Sequence, residues 1–249
     1  MNITYDQIPI VYEDNHLLVV VKPQNVPSQA DESKSPDMLS LLKQYLADTY
    51  HKTGNVYLGL VHRLDRPTGG VMVFAKTSKA AERLCKAIET GEFEKKYLAV
   101  VEGRTPAESG LLKNYLYKYA NLNIVKVVPD ATEGAKLAEL QYNRLAETYV
   151  EGSESKQTEY TLVQIYLYSG RSHQIRVQMS HIGNPLVGDA KYGSLKSKNP
   201  TPLALWAYEL RFPHPITKNP MVFRVYPDTD QQPWARFDID SLLRITSRD

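Results

Sequence analysis

Between residues 97 and 168 the chain offers a succession of strand-like segments with no helix among them: 97–101, 111–119, 124–128, 137–145 and 159–168. Short connections of this kind join antiparallel strands, because a parallel pair needs a crossover of a dozen or more residues. Two further segments, 204–212 and 222–225, flank the proline-rich stretch from Pro213 to Pro220. Near the N-terminus, Ile10-Val-Tyr12 and Leu17-Leu-Val-Val-Val21 sit on either side of Asp14-Asn15, the pattern of a strand pair closed by a turn. Strands outnumber helices and come in adjacent runs. That implies an α+β fold with a mixed, mainly antiparallel central sheet flanked by helices and loops.

Helices are expected in three places. Ser35-Pro36 fits an N-cap followed by proline at the first helical position, with Met38, Leu39, Leu41, Leu42, Tyr45 and Leu46 as the apolar stripe and Gly54 beyond the end. Residues 78–90 read as a helix closed by Gly91, with Cys85 as a buried residue of it. Ile175, Met179 and Ile182 fall at helical spacing in 172–182, and Gly183 stands at the expected stop. Strands are expected at 56–61 and 71–75, and exposed loops or insertions at Pro129–Gly134 and Gly152–Lys156.

Composition excludes several classes. A formal net charge of +2 leaves no global polycation, so a nucleic-acid partner must be met by locally gathered positive charge. A single cysteine rules out a disulfide framework and a cysteine-rich zinc site. No basic start followed by an apolar run marks a secretory signal, and no apolar run reaches the ~18 residues of a membrane span. A reduced cytoplasm is the natural compartment.

The stretch Val61-His-Arg-Leu-Asp-Arg-Pro-Thr-Gly-Gly-Val71 carries the most chemistry. Pro67 biases Arg66 away from helix, and Gly69-Gly70 permit a tight turn or a close backbone approach. Asp65 therefore falls on a connecting loop, with Arg63 and Arg66 favouring its ionised form. An ionised carboxylate serves as nucleophile or base and cannot donate a proton. Taken alone, the segment reads better as a surface ion-pair group of little energetic weight. Two other segments weigh against that. Ser169-Gly-Arg-Ser-His-Gln-Ile-Arg176 places Arg171, His173 and Arg176 at the opening of a helix, where anions are attracted. Glu94-Lys-Lys-Tyr97 puts two lysines before a strand whose first aromatic residue is Tyr97.

Together these segments resemble the RluA-like family of pseudouridine synthases. Val11-Tyr-Glu-Asp-Asn-His-Leu-Leu-Val-Val-Val-Lys-Pro23 matches the family's opening motif. His62-Arg-Leu-Asp-Arg66, running on to Phe74-Ala-Lys-Thr77, matches its catalytic motif, and Lys95-Lys-Tyr-Leu-Ala99 its tyrosine motif. Gly170-Arg-Ser-His-Gln-Ile-Arg176, continuing to Ile182-Gly-Asn-Pro185 and Gly188-Asp189, matches the late motif. Where the family usually carries serine this chain has Gly69, and Pro67 is a milder departure.

The resemblance implies the pseudouridine synthase fold, one catalytic domain over residues 1–249 with its core at about 10–227, and no N-terminal accessory RNA-binding domain. It implies isomerisation of specific uridines in tRNA or large-subunit rRNA, with Asp65 as the essential carboxylate and the target uridine flipped out. Tyr97 would stack on the base, Arg176 would pair with Asp65, and Ile175 would wall the uracil. Arg63 would occupy the space that the uridine vacates, while His62, Lys76, Arg171 and His173 would make phosphate or loop-positioning contacts. Neither cofactor nor metal is implied, and His62, Asp65, His173 and Asp189 have no compact ligand spacing. The expected partner is structured RNA, a tRNA or a 23S-type rRNA stem-loop, bound by a monomer with no membrane and no protein partner. Two rivals are an inactive RNA-binding module of the same fold and a glycosidase, although the latter chemistry normally wants a second carboxylate.

Overall fold

The computed structural model describes residues 3–151, 157–193 and 201–246, so the expected Gly152–Lys156 loop lies outside the described residues. In chain order the strands are β1 (Ile10–Glu13), β2 (Leu17–Lys22), β3 (Gly59–Leu60), β4 (Gly69–Ala75), β5 (Glu94–Glu102), β6 (Ser109–Tyr119), β7 (Ile124–Val128), β8 (Lys136–Glu151), β9 (Gln157–Leu167), β10 (Leu205–Pro213) and β11 (Pro220–Arg224). The helices are α1 (Met38–Thr49), α2 (Ser78–Glu89), α3 (Gln174–His181) and α4 (Ile239–Thr246). The architecture is mostly antiparallel, as the adjacent strand runs imply. Two compact units form: Met1–Lys95 with Ala207–Val225, and Lys96–Trp206 with Tyr226–Asp249.

In the first unit the strand order is β1-β2-β4-β10-β11, with β3 pairing the far end of β4. Strands β2 and β4 are buried almost throughout, which explains why they read as continuous apolar runs and do not alternate. Leu17, Val19, Val71 and Val73 join Ala80, Leu84 and Ala87 of α2 in one core cluster. Cys85 is exposed, contrary to the expectation of burial. It lies one position past Leu84, so it turns away from the apolar stripe of α2. Helix α1 starts two residues later than Ser35-Pro36 suggests, because Asp37 is its N-cap: the carboxylate accepts from Ser40 N at 3.1 Å. The expected strand at 56–61 shrinks to Gly59 and Leu60, which pair with Ala75 and Phe74.

In the second unit the order is β5-β9-β8-β6-β7. Helix α3 covers one face of this sheet, where Val177 packs with Leu116, Val125 and Ala138. It is shorter than the expected 172–182: His173, at φ 53°, stands in the left-handed region just before it. The C-terminal helix α4 lies beyond the limit read from the sequence. Its buried residues Ile239 and Leu243 share one face at helical spacing, and the Asp238 carboxylate accepts from Ser241 N at 3.2 Å. No described helix is long and apolar enough to cross a membrane.

Gly70 shows how tightly the first unit is closed. Its φ is +125°, and a Cβ there would stand 2.2 Å from the Ala207 carbonyl oxygen on β10. Gly91 also has positive φ, yet a Cβ there would meet nothing within 4 Å. Gly70→Ala is therefore expected to destabilise the protein by about 3 kcal/mol or more, against about 1 kcal/mol for Gly91→Ala. Urea unfolding of both variants checks the ordering.

Candidate active site

The segment joining β3 to β4, residues 61–68, carries Arg63, Asp65 and Arg66 and forms no helix or strand of its own. Its backbone groups must find partners elsewhere. The carbonyls of Leu64 and Asp65 accept from Ser28 Oγ (2.8 Å) and the Thr68 amide (2.9 Å). Those of Arg66, Pro67 and Thr68 accept from Lys22 Nζ (3.0 Å), Gln24 Nε2 (3.0 Å) and Lys22 Nζ again (2.7 Å). Five successive carbonyls are thus engaged, four of them by side chains from residues 22–28. Pro23 and Pro27 stiffen that donor segment. The backbone on both sides of Asp65 is held in place.

Lys22 is the centre of this clamp. It is fully buried, and its third donor goes to the Pro23 carbonyl at 2.9 Å. Burial lowers its pKa from the ordinary lysine value to about 7; the Asp65 carboxylate raises it and Arg66 lowers it further. The opening motif includes Lys22, but nothing in the sequence assigns it a task. The available signal was a lysine closing an otherwise apolar strand.

His62 anchors the start of the segment. Its Nε2 accepts from the Val73 amide at 3.1 Å, so a ring atom serves Val73 just where β3 stops pairing. The other nitrogen, Nδ1, is sealed from solvent with no partner among the described residues. Burial first, and then the charge of Lys95, push the His62 pKa down to about 3, so the ring is neutral at physiological pH. A neutral, inward-facing imidazole suits loop positioning better than a charged phosphate contact. Asp65 is half-buried, whereas Arg63 is exposed and has no hydrogen bond or ion pair among the described residues. Lys76 donates to Glu13 at 2.5 Å and lies over the Tyr50 ring, so its charge is used inside the first unit. Gly69 is the first residue of β4 and is buried.

The second unit positions Tyr97, Ile175 and Arg176. Tyr97 on β5 is aligned with Ile165 on β9, Tyr142 on β8 and Gly110 on β6. Paired residues share a sheet face, and this row lies on the face that α3 covers. Tyr97, Ile175 and Arg176 are each buried. The Arg176 guanidinium grips Asp189 with two parallel bonds, Nε to Oδ2 and Nη2 to Oδ1, both 2.7 Å. It also lies over the Tyr192 ring, 5.2 Å from the centroid. Asp189 Oδ1 accepts in addition from the amides of Lys191 (2.9 Å) and Tyr192 (3.1 Å). Burial pushes the Asp189 carboxyl up, but the Arg176 fork and the two amides outweigh it and hold the pKa below the ordinary carboxylate value. Asp189 thus aims Arg176, a role that the sequence reading did not assign.

Arg171 and His173 are arranged differently from the expected helix opening. Arg171 lies before α3 and donates from Nε to the Leu137 carbonyl at 3.0 Å. Gln174, the first residue of α3, folds back on the preceding turn: its Oε1 accepts from the Arg171 amide and from Ser169 Oγ. His173 makes no capping bond, and its Nδ1 is 2.7 Å from Tyr192 Oη. Among the described residues no group of three or more His, Cys, Asp or Glu side chains is placed to hold a metal ion.

Residues 16–181 match the family described as RNA pseudouridylate synthase. A tRNA pseudouridine synthase C from Vibrio parahaemolyticus is 32% identical over 250 residues, covering 95% of this chain and 98% of its own. A ribosomal large subunit pseudouridine synthase C from Buchnera aphidicola is 33% identical over 222 residues, covering 84% of this chain and 64% of its own. Among solved structures, human RNA Pseudouridylate Synthase Domain Containing 1 superposes with a TM-score of 0.75 at 20% identity, covering 98% of this chain and 96% of that one. This last likeness bears on the fold alone.

Lys22→Met keeps an unbranched apolar stem and strips the Arg66 and Thr68 carbonyls of their donor. A loss of about 2–4 kcal/mol is expected, since each buried orphan costs on the order of 1–3 kcal/mol and release of the buried ammonium offsets part. Hydrogen exchange at the Thr68 amide should accelerate more than exchange in α3. For Asp189 the sign follows from its depressed pKa. Its stabilising contribution is full above the unfolded value of about 3.9 and is lost as pH falls through the lower folded value. The stability gap between the wild type and Asp189→Asn should hold steady from neutral pH down to about 5 and narrow below about 4, as urea unfolding at a series of pH values would record.

Proposed function

Because the chain belongs to the RNA pseudouridylate synthase family, we propose that it isomerises uridine in a tRNA or a large-subunit rRNA, with Asp65 as the catalytic carboxylate. As a pseudouridine synthase it is an isomerase: the C1′–N1 bond breaks, the uracil turns, and C5 bonds to C1′. The proton leaving C5 is matched by one taken up at N1, so no atom is gained or lost. That chemistry needs an ionised carboxylate at the sugar, either to attack C1′ or to remove the 2′ proton. The observation that carries the reading is the clamp: five consecutive carbonyls held around a half-buried aspartate on a segment without secondary structure. Holding a flexible segment so completely is costly in entropy and makes sense where a side chain must be aimed.

The other site residues take roles consistent with their surroundings. Tyr97 stacks on the target base, with its hydroxyl placed to assist loss of the C5 proton, and Ile175 walls the uracil. Arg63, exposed and uncommitted among the described residues, enters the RNA where the flipped uridine leaves a gap. Arg176, fixed by Asp189, offers a fixed cation to the substrate, and His62 and Lys76 act by positioning the fold. Arg171 and His173 serve the turn before α3. Water must be kept from the detached base, because hydrolysis would leave an abasic site.

Asp65→Asn preserves size and most hydrogen bonding while removing the negative charge. It is expected to lower pseudouridine formation by a factor of about 10³ or more, while RNA affinity stays within about threefold. Chemical mapping of pseudouridines in RNA from cells carrying each form reads the first quantity, and filter binding reads the second. An inactive RNA-binding module would show the same pseudouridine map for both forms.

A further inference from the structure

The face of the second unit's sheet opposite α3 has an unusual make-up. Strand register brings Lys96, Tyr166, Gln141 and Leu111 into one row across β5, β9, β8 and β6. Farther along the same face Lys113 is opposite Glu139, Tyr115 is between Leu137 and Val128, Tyr117 is opposite Lys126, and Tyr119 is opposite Ile124. None of these residues is buried, whereas Leu116, Val125 and Ala138 on the other face are sealed beneath α3. Tyr168, exposed at the end of β9, reaches the same strip by donating its hydroxyl to Gln141 Oε1 at 3.1 Å.

A solvated sheet face is ordinarily polar, and the centre of a protein-docking face is ordinarily poor in lysine. This one fits neither pattern. It combines exposed or half-exposed tyrosine rings with ammonium groups that touch them. Lys96 Nζ is 5.0 Å from the Tyr166 centroid, Lys126 Nζ is 5.7 Å from the Tyr119 centroid, and the Tyr117 and Tyr119 rings meet edge to face at 4.9 Å. Its formal charges are Lys96, Lys113 and Lys126 against Glu139, an excess of positive charge on a chain close to neutral. Aromatic faces that accept bases, interleaved with cations that meet phosphates, are the chemistry of single-stranded RNA binding.

We infer that this tyrosine–lysine face, centred on the β6–β7 hairpin, binds unpaired nucleotides of the substrate RNA outside the catalytic site. The inference rests on the RNA reading above and extends it to a second surface. The contact tolerates any sequence, because every base has a face to stack and the lysines meet only phosphate. It raises affinity for the RNA and takes no part in the bond changes at uridine.

The test uses the full chain, the triple variant Tyr117→Ala/Tyr119→Ala/Lys126→Ala, and a fluorescent oligocytidine ten-mer. That probe contains no uridine, so its binding does not depend on the reaction. Wild type is expected to bind it in a salt-dependent manner, and the triple variant at least tenfold more weakly with a shallower salt slope. Conversion of cellular RNA at saturating enzyme should be unchanged in the triple variant, while Asp65→Asn should lose conversion and keep oligocytidine binding. Lys126→Glu, a single exposed change, provides the check if the triple variant is unstable, and should weaken binding by about the same factor. Equal affinity of the wild type and both variants, or no binding by the wild type, would each overturn the inference. Failure of the catalytic reading would appear separately, as Asp65→Asn retaining conversion.

Discussion

One buried ammonium organises the first unit. Lys22 closes β2 with its side chain out of water and its donors spent on the carbonyls of Pro23, Arg66 and Thr68. A lysine placed so deep is unfavourable unless its hydrogens are satisfied, so the segment that supplies the acceptors is held as firmly as the lysine itself. Protonation matters to the geometry. The ammonium has a hydrogen for each of its three acceptors, and the neutral amine has one too few. The nearby Asp65 carboxylate favours the charged form, so the group that needs positioning also strengthens its own support.

The second unit solves a similar problem with a different pair. A guanidinium is planar and always charged, and a bidentate carboxylate fixes its plane in a way that a single contact does not. Asp189 provides that fork and is held in turn by two backbone amides of the turn that follows it. Tyr192, from the same turn, stacks on the guanidinium and also bonds His173. Residues that the sequence scatters over 173–192 therefore act as one assembly around Arg176. In both units a proposed site residue sits among neighbours that are themselves tied down by hydrogen bonds.

Much of this was legible in the chain itself. Segment 124–128 is a strand with the predicted bounds, and 97–101 and 111–119 extend by a few residues only, because alternation and short connections are local signals. The family motifs imply Asp65, Tyr97 and Arg176 as site residues. What stayed hidden depends on contacts far apart in sequence. Lys22 meets Arg66 and Thr68 across 44 and 46 residues, and nothing local says that a lysine at a strand end is buried. The strand expected at 56–61 stops at Leu60, where the His62 ring takes the Val73 amide, and nothing in the structure explains why 56–58 do not pair. The cap of α1 moved to Asp37 because that carboxylate, and not the Ser35 hydroxyl, reaches the Ser40 amide. Cys85 is a one-residue error of phase on a helix whose buried positions were otherwise at the expected spacing.

We propose that the anchored segment presents the Asp65 carboxylate to the sugar of an extruded uridine. A structure of the chain bound to RNA bearing 5-fluorouridine at the target position tests it most directly, since fluorine at C5 cannot depart as a proton and should hold the complex late in the reaction. Expected is a nucleotide out of its stack with its base joined to C1′ through C5, a carboxylate oxygen of Asp65 within contact of C1′ and C2′, the Tyr97 ring against the base, and residues 64–68 unmoved. A nucleotide still stacked in the RNA, or extruded toward a different carboxylate, would contradict it.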